Sequence, residues 1–468
     1  MQSIYRFLFL PAFISYPSSI WSAIGYRLLA ILICLLLSAC STPGPDLTAT
    51  PAVVPSATIS QPSPASAPTG MLAGPQASLP ALATPAASAT PEPYTGPLRV
   101  WVVSSEEQRE PLLTILNAAA SQAGIAVTLI PTSPDSLTMS TVAGASMQFE
   151  MPELIWGNED DLFILQRAGL IQPADDGLDD NLFLPATLSS ARLEGQRWGT
   201  PLAARGALFL LYNRKLLTTA PSTSDELIVR AREATTGDQF GIVSAWVEGR
   251  WLEPWLRGVG SSSLSAGTLN LDTPAMVQAL DLLKELRQSG PPPPSTYSEG
   301  SRLFREGKVA FAIDGDWSLA RYRSYTETLD LGIAPLPRFS ATGQPAVGPL
   351  GGLYLMQSAG LNAAMQVQAR RLAGSLTSEA MQLRFAKELG WLPSQRNLLQ
   401  SPAISNDPAL SVAARYAELA PGIPPLAQMR CAWSVSDIIL PYLFLDEMDS
   451  QQTARRMQQQ AETCMREQ

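Results

Sequence analysis

Leu98-Arg99-Val100-Trp101-Val102-Val103, then Glu110 to Ala123, then Ala126-Val127-Thr128-Leu129-Ile130 decide the fold class. The first and third runs are short, apolar and rich in β-branched residues, the middle run has helical spacing, and Gly124 stops it. This is a β-α-β opening. A third buried strand, Glu153-Leu154-Ile155-Trp156, leads into the polar loop Gly157-Asn158-Glu159-Asp160-Asp161 and an amphipathic helix ending near Gly169. Alternation of this kind predicts an α/β fold with a parallel sheet, helices on both faces and a ligand crevice at the carboxyl ends of the strands. The polar loop then lies where a ligand would.

Further along, Thr273 caps a helix with Pro274 at its first position, Met276, Leu280, Leu283 and Leu286 line one face, and Gly290 ends it. Pro291 to Pro294 force an extended connector. Val309-Ala310-Phe311-Ala312-Ile313 reads as another buried strand, opening into the turn Asp314-Gly315-Asp316-Trp317. After Leu361 the pattern is mostly helical, with turns near Gly390 and around Pro421 to Pro425, and no internal repeat is present.

Upstream of this region the chain has another character. Leu28 to Leu37 is an apolar run behind Arg27, the length of a signal-peptide core and short for a membrane span; an uncleaved anchor is the alternative. From Ser41 to Pro97 there are thirteen prolines and two charged residues, Asp46 and Glu92. Such a stretch buries too little apolar surface to offset its ordering entropy, so a disordered linker is expected, spanning about 175 Å if fully extended.

Composition then limits the chemistry. The remaining residues, about 370, suffice for two lobes of ordinary domain size. A net charge of −9, a pI near 4.8 and only four lysines argue against a nucleic-acid partner. With no histidine there is no Ser-His-Asp triad, no imidazole base and no histidine-ligated zinc. None of Lys215, Lys284, Lys308 or Lys387 follows a serine by three residues, so a Ser-x-x-Lys nucleophile is missing too. Paired carboxylates are the one catalytic device left, which keeps a surface glycoside hydrolase as an alternative. Asp175-Asp176-Gly177-Leu178-Asp179-Asp180 misses the spacing of a calcium loop and reads as a solvated turn. No metal and no cofactor is expected.

Two resemblances join these observations. Leu37-Ser38-Ala39-Cys40 resembles the lipobox of bacterial lipoproteins, which implies cleavage after residue 39 and lipidation of Cys40. The mature chain would then be held at the extracytoplasmic face of the cell membrane. Cys34 leaves with the signal peptide, so Cys431 and Cys464 remain as a pair outside the cytosol and are expected to form a disulfide, two reduced thiols being the alternative.

The second covers residues 98 to 468. Pro152-Glu153-Leu154-Ile155-Trp156 with Ala168-Gly169-Leu170-Ile171, Gly195 to Leu202 continuing to Leu211-Tyr212-Asn213-Arg214-Lys215-Leu216-Leu217, Phe304 to Ala310 before Asp314-Gly315-Asp316-Trp317, and Leu389-Gly390-Trp391-Leu392-Pro393-Ser394 follow one another in the order seen in bacterial extracellular solute-binding proteins of the maltose-binding type. That resemblance implies a two-lobed periplasmic-binding-protein type II fold with an interlobe cleft, closing on its ligand by hinge motion. Lobe 1 is expected at 98–202 plus 351–400 and lobe 2 at 203–350 plus 401–468, after a signal peptide (1–39) and the linker (40–97). It further implies a non-enzymatic monomer that captures a small polar solute, a sugar or oligosaccharide, and delivers it to ABC permease subunits. A degenerate pair of lobes serving as sensor or adhesin is the other alternative.

Candidate site residues come from the same resemblance. Trp317 and Trp433 match sugar-stacking positions and Trp251 a third, although a tryptophan is otherwise a core residue, as expected for Trp156 and Trp198. Asp160 matches a carboxylate that accepts sugar hydroxyls; the alternative is a helix N-cap. Gly157 stands where maltose binders place an aromatic, and Arg205 stands near their interlobe carboxylate. Arg205 suits an anion through forked bonds, or an interlobe ion pair with Asp314 or Asp316.

Overall fold

The computed structural model describes residues 94–132, 151–293, 296–424 and 426–467. The signal-peptide run, Cys40 and the linker up to Pro93 lie outside the described residues, as does Pro294 of the proline connector.

Strand β1 (Leu98–Val103), helix α1 (Glu106–Ala123) and strand β2 (Val127–Thr132) form the expected opening, with β2 parallel to β1. Helix α1 starts before Glu110. Pro111 looks like a first-turn proline in sequence, yet it lies inside the helix, with Glu106 and Glu107 supplying the negative charge that a helix start favours. Gly124, at φ 64°, closes the helix with its N–H on the Ser121 carbonyl. Strand β3 (Leu154–Asn158) pairs parallel with β1 and leads directly into helix α2 (Glu159–Arg167), so the expected polar loop is the end of a strand and the first turn of a helix.

The chain continues through β4 (Thr200–Arg205), β5 (Leu208–Asn213), β6 (Phe240–Val243), helix α3 (Gly249–Val259), helix α4 (Pro274–Arg287), β7 (Val309–Gly315), β8 (Leu331–Pro335), β9 (Gly351–Ser358) and β10 (Leu392–Pro393). Helices α5 (Pro408–Leu419), α6 (Ala427–Phe444) and α7 (Ser450–Glu467) close it. The first sheet runs β10-β4-β9-β3-β1-β2, with Ile171–Gln172 beside β9; the second runs β8-β5-β7-β6. Two lobes result, one around each sheet.

The first sheet is mixed, not parallel. Strand β9 lies antiparallel to both β3 and β4. The reason is its route: β4 leaves the first sheet at Arg205, and β9 re-enters opposite that point, with Gly351 in register with Arg205. Strand β3 ends at the same edge, which puts the start of α2 at the seam between the lobes.

Separate cores hold the lobes. Leu98, Val100, Ile115, Trp156 and Phe385 pack under the first sheet, and Ile242, Trp251, Trp255, Leu283 and Phe311 under the second. A shared cluster including Ala204, Phe209, Leu392 and Val412 runs across the passage between them. Helix α4 begins at Pro274 after the Thr273 cap and buries Met276, Leu280, Leu283 and Leu286, as its spacing predicts. Cys431 of α6 and Cys464 of α7 are disulfide-bonded, with Cα atoms 5.8 Å apart. No described helix is long and apolar enough to cross a membrane.

Candidate ligand-binding cleft

The seam is built from the first turn of α2 on one side and from α3 and α6 on the other. Asn158 is the cap of α2: its side chain accepts from the N–H groups of Asp160 and Asp161 at 2.9 Å each, and Asp161 Oδ2 accepts from the Asn158 N–H at 3.0 Å. The N-cap reading of Asp160 is therefore corrected, since the cap sits two residues earlier. Freed of that task, the Asp160 side chain is half exposed and accepts from Arg430 Nη2 at 2.8 Å across the seam.

Glu159 turns inward. It accepts from the Gly352 N–H at 3.1 Å and lies 3.3 Å from Arg250 Nη1 of α3. Gly351 makes room for it, because a Cβ there would stand 2.3 Å from the carboxylate. Burial pushes the Glu159 carboxyl above the usual carboxylate range, with Arg250 pulling it down and the charge of Asp160 adding to the rise. The Arg250 guanidinium also lies over the indole of Trp433, 5.7 Å from the ring centroid. Trp433 Nε1 donates to Glu253 at 3.4 Å. Glu253 is itself buried, and burial pushes its carboxyl up despite hydrogen bonds from Ser263 and Trp433.

Glu159, Asp160, Phe163, Met429, Arg430 and Trp433 are among the residues lining the gap between α2 and α6. The free space there is about 10 Å³, about what one water needs. Arg430 fills much of it, with its guanidinium 4.5 Å from the Phe163 ring centroid. A gap of that size admits nothing larger than a water.

A second charged contact spans the hinge. Arg205 Nη1 is 3.5 Å from Asp316 Oδ2, and its guanidinium lies 5.2 Å from the Trp391 ring centroid. Of the alternatives for Arg205, the observed one is the interlobe pair with Asp316. Asp316 also accepts from the Gly206 N–H at 3.3 Å; burial pushes its carboxyl up and Arg205 opposes the rise.

The tryptophans divide. Trp433 lines the gap, whereas Trp317 is not among its lining residues. Trp317 is half buried, edge-on to Trp251 with centroids 5.7 Å apart, and donates from Nε1 to Tyr297 Oη at 3.2 Å. Its ring folds back over Gly315, where a Cβ would lie 2.2 Å from it. Strand β7 thus runs on through Gly315, two residues past the expected end at Ile313, before the turn begins. The expectation for Trp251 is corrected: it is 7% exposed, belongs to the core of the second lobe and donates from Nε1 to the Ile313 carbonyl at 3.3 Å. Trp156 and Trp198 pack inside the first lobe.

Sequence reasoning missed Glu159, Arg250, Phe163 and Arg430. No periodicity singles out a charged residue that is buried by a neighbouring lobe, and the fit of Glu159 against Gly351 is a tertiary contact with no local signal. The acidic turn at 175–180 is occupied by ion pairs: Asp176 takes Arg197, Asp180 takes Arg192 and Arg197, and Asp175 takes Arg370.

The chain and its fold are similar to known proteins. Residues 114–412 match the family described as bacterial extracellular solute-binding protein. The chain is 25% identical over 290 residues to a maltotriose-binding protein of Pyrococcus abyssi, covering 58% of this chain and 63% of that protein. It is 25% identical over 166 residues to a maltodextrin-binding protein of Bacillus subtilis, covering 32% and 39%. The match therefore spans less than two thirds of the length of these curated relatives. Among solved structures, the maltose/maltodextrin-binding domain of Bdellovibrio bacteriovorus bound to maltotriose is 27% identical, with a TM-score of 0.68, covering 79% of this chain and 100% of that one.

Proposed function

The chain belongs to the bacterial extracellular solute-binding protein family, and we propose that it captures a carbohydrate outside the membrane and passes it to an ABC-type permease, performing no chemistry on it. The observation that carries this reading is the seam itself: Asp160 from one lobe faces Arg430 and Trp433 from the other around a gap that only hinge opening can enlarge. A ligand touching both faces favours the closed form, which is the state a permease would recognise. The names of the relatives, maltotriose- and maltodextrin-binding proteins, support a saccharide.

In this reading Asp160 accepts sugar hydroxyls, and Trp433 offers its indole face to the C–H side of a ring. Trp317 follows Asp316 directly and would border the cleft at its hinge edge, while the Arg205–Asp316 pair would hold the hinge. Cys40 would carry the lipid, so that a monomer works at the end of its linker on the extracytoplasmic face.

Titration calorimetry of the full chain against neutral and acidic oligosaccharides, amino acids and peptides tests the reading. A saccharide is expected to bind, and Trp433→Ala to weaken it by about 1 to 3 kcal/mol, the magnitude known for stacking on an aromatic ring. Binding of amino acids or peptides alone, or saccharide affinity unchanged in a folded Trp433→Ala variant, would refute it.

A further inference from the structure

The cleft is rich in guanidinium groups that have hydrogen bonds to spare. Arg205 comes from the first lobe and Arg250 and Arg430 from the second, and all three meet at the seam. Arg250 has five N–H donors, yet its side-chain hydrogen bond in the seam is the single 3.3 Å contact with Glu159, and its Nε is buried with no partner. Arg205 Nη1 is likewise buried without a hydrogen bond, 3.5 Å from Asp316 being a charge contact only. A buried donor left unmade costs its desolvation with nothing in return, so these groups favour a ligand that supplies acceptors.

Arg430 adds a constraint on the ligand. It holds Asp160 twice, through the carboxylate at 2.8 Å and the backbone carbonyl at 3.0 Å. A neutral sugar that gives its hydroxyls to Asp160 displaces Arg430 and leaves that half-buried guanidinium without its anion. A ligand that brings its own carboxylate replaces what Arg430 loses. Arg250 spends one donor on Glu159, at 3.3 Å, and keeps others for a second carboxylate.

Resting on the capture role above, we propose that the solute is a saccharide bearing a carboxylate, a uronic acid or its oligomer, whose carboxylate takes forked bonds from Arg430 and Arg250 while its hydroxyls donate to Asp160. Guanidinium and carboxylate planes match in a bidentate pair, and Arg250 lies over the Trp433 ring at 5.7 Å, so an acid group held by Arg250 lies beside that indole. The protein carries a net charge of −9, so long-range attraction does not select an anion; these local groups must.

The test is titration of the full chain with digalacturonate, a glucuronate disaccharide and maltotriose, on wild type, Arg430→Met, Arg250→Met and Arg430→Lys, with circular dichroism confirming that each variant is folded. At least one uronate is expected to bind tenfold or more tighter than maltotriose. Arg430→Met should erase that preference by weakening the uronate tenfold or more, and by far more than it changes maltotriose, and Arg430→Lys should keep part of it. Maltotriose binding as tightly as both uronates, or uronate affinity unchanged in both methionine variants, overturns the acidic ligand and leaves carbohydrate capture standing. Binding of no saccharide at all overturns both.

Discussion

Glu253 illustrates how single residues in this cleft are set by what covers them. It is 1% exposed in α3 and is the acceptor for the Trp433 indole N–H. Burial is the leading cause that raises its carboxyl, and it outweighs the hydrogen bonds from Ser263 and Trp433 and the charge of Arg257. In the unfolded chain the same group ionises near 4.5, so the folded state holds the proton over a range in which the unfolded state has lost it. Its contribution to stability is complete below about pH 4.5 and is lost as pH rises through the raised folded value. Glu253→Gln keeps an acceptor for Trp433 and removes the titration. Melting temperatures should therefore favour the variant more at pH 8 than at pH 5; an equal difference at both would show that Glu253 does not titrate between the two states. None of this was legible in the sequence, where Glu253 is one acid in a Trp-rich helix. The position of Asp160 at the seam was legible because its loop follows a strand end. Trp251 was misplaced because an indole two residues into an amphipathic helix has the same local appearance whether it faces a core or a cleft.

The elements explain why the cleft residues stand where they do. Asn158 caps α2 and turns Asp160 to the seam, while α6 brings Arg430 and Trp433 to the other side within one turn of Cys431. The disulfide from Cys431 to Cys464 of α7 fixes that turn and closes a loop with a sequence separation of 33. In the chain-entropy model such a cross-link stabilises by about 3 to 4 kcal/mol. The double variant Cys431→Ser/Cys464→Ser should lose about that much in urea unfolding. It should also bind saccharide more weakly than wild type, because Arg430 and Trp433 share the loosened turn. A fall in stability with affinity unchanged would mean that the disulfide supports the lobe without positioning the cleft. Element positions were largely readable: the runs at Leu98, Thr273 and Val309 gave strands and a helix close to those observed. Strand direction was not, because the reversal of β9 depends on the route of the chain through a second sheet, which local patterning does not encode.

At the scale of the whole molecule, the chain passes between the lobes three times, outward from Arg205 to Leu208, back at Gly351, and outward again between β10 and α6, with the cluster around Ala204, Phe209, Leu392 and Val412 packed across the passage. Three arginine–carboxylate contacts, Arg205–Asp316, Arg250–Glu159 and Arg430–Asp160, tie the lobes together at 3.5, 3.3 and 2.8 Å. Opening exchanges these charge pairs for solvent, and a bound solute must offer more than the pairs it displaces. The ordered family pattern made the two lobes readable from sequence, but the charge pairs at the seam form only when distant segments meet. A crystal structure grown with the saccharide that titration selects tests the central claim most directly. The account predicts the sugar between α2 and α6, in contact with Asp160 and Trp433, with Arg430 moved off Asp160. Sugar bound at another surface, with the α2–α6 gap still filled by Arg430, would contradict it.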